Sequence, residues 1–212
     1  MWSIVIRDGL KSLVPGSRHL RQWVRKIQPY RSWPQNDDLA LLQGLQIVSS
    51  AHNHGLTNGV IMEVGTGWIS TIPHLFLAAG AQRILLTDIE RLADEQTFTH
   101  GRKLAATKLR SLSDKVGTEK KTLCANLSKP DHFDYRCPPR TEELASDSID
   151  LIYSRTVLEH IEPETLVQLQ QEWYRLLRPG GFCIHIIDHS DHFEHRDKLL
   201  TRLNFLQLSG WK

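Results

Sequence analysis

Residues 59–88 read GVIMEVGTGWISTIPHLFLAAGAQRILLTD, and the fold follows from how this stretch divides. Val60, Ile61 and Met62 form a short apolar run rich in β-branched residues, the composition of a strand buried on both faces. Glu63 closes that run, and Gly65-Thr66-Gly67 follows at once, allowing the backbone to turn sharply and a ligand to approach where no Cβ stands. Residues 70–79 read as a helix whose first N–H groups face the turn, and Gly80 is a helix stop. Residues 83–87 are a second buried strand, with Asp88 at its carboxyl end, where an acid accepts hydrogen bonds from both hydroxyls of a ribose. Strand, glycine turn, helix, strand and acid together predict a nucleoside-binding βαβ unit.

The class of nucleoside depends on Glu63. A dinucleotide fingerprint asks for G-x-G-x-x-G, and the register here supplies Gly65, Gly67 and Ser70, a small residue in the third slot. Spacing alone therefore leaves a nicotinamide cofactor open. A carboxylate at Glu63 would lie beside a pyrophosphate, however, and suits a ligand carrying an ammonium group and no phosphate.

Outside this unit the chain is ordinary for a folded α/β domain. Its 212 residues suit one domain with a proper core, and 40% hydrophobic with 24% charged residues is the usual balance. A net charge of +2 carries no global nucleic-acid signature. Cys124, Cys137 and Cys183 lack C-x-x-C spacing, which points to a reduced, cytoplasmic setting. No uninterrupted apolar span approaches the length of a transmembrane helix, and the first residues are too short and too charged for a signal-peptide core. Residues 1–34 form a separate basic arm. Arg7, Lys11, Arg18, Arg21, Arg25, Lys26 and Arg31 face only Asp8, with Trp2, Trp23, Tyr30 and Trp33 interleaved. Such an arm docks its aromatics on the core, or else meets a membrane surface or nucleic acid; docking is the expectation taken here. Residues 35–212 are the core domain.

Along that domain, Asn36 or Asp37 caps a helix to about His52, with Leu39, Leu42, Leu45 and Ile47 as its apolar face. Residues 89–113 are mostly helical, and the segment 122–125 reads as a third strand or an insertion. HFDYRCPP, residues 132–139, is a strand ending in a proline turn. SIDLIYS, residues 148–154, is the next buried strand, followed by Arg155-Thr156-Val157-Leu158-Glu159-His160-Ile161. Pro163 then opens a helix with Leu166, Leu169, Trp173, Leu176 and Leu177 along one face; residues 178–181, RPGG, end it, and residues 182–187 form a fifth strand. His160 is a candidate general base for an acceptor hydroxyl, since imidazole titrates near neutrality, with a purely structural role as the alternative. His185, His189, His192 and His195 crowd the end beside Asp188 and Asp191, but no two-histidine-plus-glutamate signature accompanies them, so no metal is expected.

E-V-G-T-G with an acid after the next strand, L-E-H-I after the fourth strand, and L-L-R-P-G-G before the fifth resemble the class I S-adenosylmethionine-dependent methyltransferases. Ile69 stands where that family's motif has a third glycine. A finer likeness, carried by EVGTGW with Pro73, Tyr135-Arg136-x-Pro138, LEHI and D-H-x-D-H-F, is to a subgroup of bacterial enzymes often of unassigned substrate. The resemblance implies an α/β Rossmann-like, doubly wound, mostly parallel sheet with helices on both faces. It implies S-adenosyl-L-methionine as cofactor and a small-molecule acceptor, with nucleic acid not expected, since Ser154-Arg155-Thr156 replaces the NPPY-like tetrapeptide of amino-methylating nucleic-acid enzymes. Glu63 would take the ammonium, Gly65, Thr66 and Gly67 the methionine portion, and Asp88 the ribose, with Ser154 at the end of the fourth strand completing the set. The acid that usually meets adenine is missing, and its slot falls near Pro139-Arg140, leaving groups of Arg140 and Thr141 for that contact.

The family's sheet usually ends in an antiparallel hairpin, for which the residues after Ile187 leave no room. A truncated chain, or one whose edge another chain completes, is the expectation, with self-association through an unpaired sheet edge. Two competing functions are a nicotinamide-dependent oxidoreductase on the same βαβ unit and a non-catalytic, degenerate form of the methyltransferase fold.

Overall fold

The computed structural model describes residues 34–130 and 133–190, together with 201 and 203. The chain divides into two units, Met1–Asp38 and Leu39–Lys212. Of the first, only residues 34–38 are described, as the beginning of helix α1 (Pro34–Asn53). The rest of the basic arm lies outside the described residues, as do His192, His195 and the helix expected over residues 197–208.

After α1 come β1 (Val60–Val64), α2 (Thr71–Ala79), β2 (Arg83–Thr87), α3 (Glu95–Thr107), α4 (Leu109–Val116), α5 (Lys120–Leu127), β3 (Phe133–Arg136), β4 (Ile149–Arg155), α6 (Pro163–Leu176) and β5 (Leu177–Ile186). Short 3₁₀ turns at Thr141–Glu143 and Leu158–His160 flank β4. The five described strands form one parallel sheet in the order β3-β2-β1-β4-β5. Strand order runs outward from β1 to β3, then returns across β1 to β4. That reversal opens a crevice at the carboxyl ends of β1 and β4, where open α/β sheets take their ligands.

Alternation along the strands divides the core in two. Ile61, Ile84, Leu86, Leu151 and Tyr153 face one way and pack beneath α1 to α5. Met62, Leu85 and Ile152 point the other way, against Trp173 and Leu176 of α6. Helices thus cover both faces, as a buried parallel sheet requires.

Several expectations shift in detail. The buried side of α1 is carried by Ala40, Leu41, Leu45, Ile47, Val48 and Ala51, while Leu39 and Leu42 are 47% and 59% exposed. The stripe is rotated because Gly44 sets the contact: a Cβ there would lie 2.9 Å from Leu75 and 3.0 Å from Ile72, so α1 approaches α2 closely at that point. Segment 122–125 belongs to helix α5, since Leu123 and Leu127 recur at helical spacing and are both buried. The RPGG segment lies within β5, not at the end of α6. Ile149 pairs with Leu177 and Leu151 with Phe182, so residues 178–181 bulge out of the ladder.

The amino edge of the sheet is fastened separately. Buried Asp150 accepts a 2.6 Å hydrogen bond from Val60 N–H and forms a 2.8 Å ion pair with Arg178 of that bulge. Among the described residues, no helix is long and apolar enough to cross a membrane.

Candidate functional site

The turn after β1 is built on β2. Gly65 and Thr66 donate their N–H groups to Thr87 O at 2.8 and 3.2 Å, and Gly67 N–H donates to Asp88 Oδ2 at 2.8 Å. Gly65 and Gly67 hold φ of 75° and 59°, a left-handed conformation that glycine adopts without strain. Their surroundings differ. A Cβ at Gly65 would collide with Val157, whereas at Gly67 the nearest atom would be Gly65 O at 3.9 Å, so open space lies above the second glycine. Gly65 therefore admits the segment after β4, and Gly67 faces the crevice.

That segment is itself strained. Thr156 has φ 51°, unfavourable for a β-branched residue, and is pinned by its N–H to Ile186 O at 2.7 Å. The turn it makes brings Val157 against the glycines and leads into the 3₁₀ turn Leu158–His160.

Parallel register sets Glu63 of β1 beside Tyr153 of β4. Glu63 is 4% exposed and Tyr153 fully buried, its ring 5.3 Å from that of Phe76 on α2. Glu63 Oε2, Tyr153 Oη and Thr66 Oγ1 are buried and have no hydrogen-bond partner. Both hydroxyls lie near enough to favour the ionised carboxyl, yet neither reaches it with hydrogen-bond geometry. Burial dominates and pushes Glu63 up to about 8; the hydroxyls of Tyr153 and Thr66 oppose it, the Asp88 charge adds to it and the Arg155 charge lowers it. Near neutral pH the carboxyl mostly keeps its proton. A buried carboxyl with an unpartnered oxygen just before a glycine turn has an acceptor position open to a donor.

Asp88 stands at the carboxyl end of β2, half-buried. Its Oδ2 holds Gly67 N–H, its Oδ1 accepts Glu90 N–H at 3.2 Å, and its own N–H donates to Arg136 O at 3.3 Å. The acid thus braces the glycine turn, and each oxygen retains a further acceptor position.

The remaining candidates are arranged as follows. Ser154 is fully buried, with its hydroxyl 2.8 Å from His185 Nδ1 on β5; the His185 ring lies 5.1 Å from Trp173, and burial lowers its pKa. Ser154 thus points to the α6 face, away from Tyr153. Arg140 has φ 42°, is 64% exposed and approaches Glu143 at 3.5 Å. Thr141 O accepts a 3.1 Å bond from Arg175 on α6, which also holds Leu144 O at 2.9 Å. These contacts anchor the loop after β3 to α6. His160 is exposed on the second 3₁₀ turn, its N–H bonded to Val157 O at 3.0 Å. Its neighbour Glu159 accepts Asp188 N–H at 3.3 Å through Oε1, while Oε2 is buried without a partner.

Glu63, Thr66 and Gly67 therefore share one locus with Asp88, and Gly65 supports it from behind. Tyr153 and Val157 join this locus although sequence reasoning does not single them out. The sign of Tyr153 in the sequence is a polar tip inside the apolar run IDLIYS, which without strand pairing reads as core.

Residues 62–185 match the methyltransferase domain family. No curated protein matches the sequence. Among solved structures, a candidate S-adenosyl-L-methionine-dependent methyltransferase from Methanococcus maripaludis is 17% identical, with a TM-score of 0.43 over 74% of this chain and 65% of its own. DhpI, solved in complex with SAH, is 12% identical with a TM-score of 0.46, over 76% of this chain and 62% of that one. Escherichia coli 3-hydroxybutyryl-CoA dehydrogenase also matches, at 14% identity and a TM-score of 0.36, over 64% and 26% of the two chains. This chain spans 65% and 62% of the length of the first two, and overlaps of this quality bear on neither substrate nor chemistry.

Proposed function

This chain belongs to the methyltransferase domain family, and on that premise we propose that it binds S-adenosylmethionine over the glycine turn and transfers its methyl group to a small-molecule acceptor in the cytoplasm. The observation that carries the proposal is the unpartnered Oε2 of buried Glu63, on the strand that leads into the glycine turn, together with the open space above Gly67 of that turn. Both fit the amino-acid end of the ligand: an ammonium satisfies the carboxyl, and the missing Cβ leaves room for the methionine chain. When bound, S-adenosylmethionine supplies a methyl group on a sulfonium that needs no further activation.

The work left to the protein is alignment and exclusion of water. Glu63 accepts the ammonium and gives its proton to solvent as it ionises. Asp88 accepts from the ribose hydroxyls with its remaining lone pairs while keeping Gly67 in place. Val157 and the start of the 3₁₀ turn wall the crevice on the β4 side. His160, exposed on the 3₁₀ turn after β4, is the residue to accept the proton of an acceptor hydroxyl. Arg140, Thr141 and Ser154 serve this site at one remove, through the loop after β3 and the end of β4. Three free cysteines accord with a reducing compartment.

A nicotinamide cofactor fits less well, because Glu63 would stand beside its pyrophosphate. Calorimetry separates the two ligands directly. S-adenosylhomocysteine should bind the chain, NAD should not, and Glu63→Gln should weaken the former. Binding of NAD with none of S-adenosylhomocysteine would overturn the proposal; binding of neither would favour the degenerate fold.

A further inference from the structure

Glu63 does not choose its charge alone. Facing it are the Tyr153 phenol from β4, the Thr66 hydroxyl from the turn, the Asp88 carboxylate from the end of β2 and the Arg155 guanidinium from the end of β4. Arg155 donates to Gln43 of α1 at 2.6 Å, and Asp88 accepts from the backbone of the glycine turn. Tyr153 is different. It lies directly across the β1–β4 ladder from Glu63, is fully buried, and packs its ring at a tilt against Phe76. Its hydroxyl and Glu63 Oε2 are both buried and without hydrogen-bond partners. An unmade bond at each of two neighbouring buried atoms is costly, so any adjustment that joins them is favoured.

We propose that Tyr153 is the positioning residue of Glu63, accepting a hydrogen bond from the carboxyl while it is protonated and donating a stronger, charge-assisted one to the carboxylate whenever it ionises, whether through a rise in pH or on arrival of a ligand ammonium. The proton displaced from Glu63 passes to water, and no other bond changes. A phenol can play both parts because it is donor and acceptor at once, whereas a phenylalanine ring of the same shape can play neither. Ligand uptake is then coupled to proton release, and the strength of that coupling is set from β4. The coupling to uptake rests on the assignment of Glu63 as the ammonium anchor; the hold of Tyr153 on Glu63 does not. Burial raises both groups, and the nearby Glu63 charge raises Tyr153 further, which agrees with this arrangement.

The test uses Tyr153→Phe in the full chain. In the free protein, the carboxyl signal of Glu63 is followed by carbon-13 NMR of glutamate-labelled protein, assigned by its absence in Glu63→Gln. Loss of the phenol should move the Glu63 midpoint upward by on the order of one pH unit, because a hydrogen bond favouring the charged form is gone. An unmoved midpoint overturns the proposal. In calorimetry with S-adenosylhomocysteine, Tyr153→Phe should bind about tenfold more weakly near pH 7, and the gap should close where both carboxyls are already ionised. A loss of the same factor at every pH would mark Tyr153 as mere packing and overturn it too. If wild type does not bind S-adenosylhomocysteine, the proposed function fails, while the ligand-free titration still decides the Tyr153 assignment.

Discussion

Removing the ability of one buried carboxyl to ionise should change how the stability of this fold depends on pH. Glu63 titrates at about 8 in the folded chain against a reference of 4.5. Between those values the folded state binds more protons than the unfolded one, so stability falls as pH rises. The full span of about 3.5 units corresponds to about 5 kcal/mol at roughly 1.4 kcal/mol per unit, an order-of-magnitude figure. Stability from this group is complete below the unfolded value and is lost as pH climbs to the folded one. From about pH 6 to about pH 8, wild type should lose about 2 kcal/mol relative to Glu63→Gln, whose amide resembles the protonated acid and cannot ionise. His185 works in the opposite sense, since burial lowers its pKa and its contribution, intact above the unfolded value, is lost as pH falls from there through the folded one. Comparing the two proteins rather than wild type alone cancels that contribution. Urea unfolding without ligand, repeated at half-unit steps of pH, measures the gap. Parallel curves for the two proteins would refute the placement of Glu63 as a dry, proton-bearing acid, and with it the physical ground for an ammonium site.

Other consequences can be read from neighbouring residues. Gly65→Ala should destabilise the fold by more than the roughly 1 kcal/mol of left-handed strain, because its Cβ meets Val157, whereas Gly67→Ala should cost about that strain alone; thermal unfolding compares them, and Val157→Ala should rescue part of the Gly65 loss. Asp88→Asn should keep an acceptor for Gly67 N–H and remain folded while S-adenosylhomocysteine binding drops about tenfold; Asp88→Ala should unfasten the turn as well, costing about 1–3 kcal/mol by urea unfolding. Asp150→Ala, at the opposite edge of the sheet, should cost about 2–4 kcal/mol through the lost Val60 and Arg178 contacts and leave S-adenosylhomocysteine affinity unchanged.

Much of the scaffold of the candidate site was legible because it is concentrated in a local βαβ unit. β2 spans Arg83–Thr87 as expected, α2 begins immediately after Ser70, and Gly80 ends it with φ 103°. These features depend on periodicity and on glycine, and both act within a few residues. The ambiguous run at residues 122–125 was decided elsewhere: only packing of Leu123 and Leu127 into the core selects a helix over a strand. Segment 178–181 likewise belongs to β5 because its flanks, Leu177 and Phe182, pair with Ile149 and Leu151 of β4 and Asp150 offers Arg178 a counter-ion.

From the sequence alone came the two acids bracketing the first helix of the βαβ unit, the glycines between them and the family those residues resemble. Tertiary structure decided what each acid experiences. Register between β1 and β4 brings Tyr153 to Glu63, and the turn after β4 fills the space that Gly65 leaves empty. Neither is encoded by spacing, because parallel pairing joins segments far apart in the chain and the resulting burial, not the residue type, sets whether a carboxyl holds its proton.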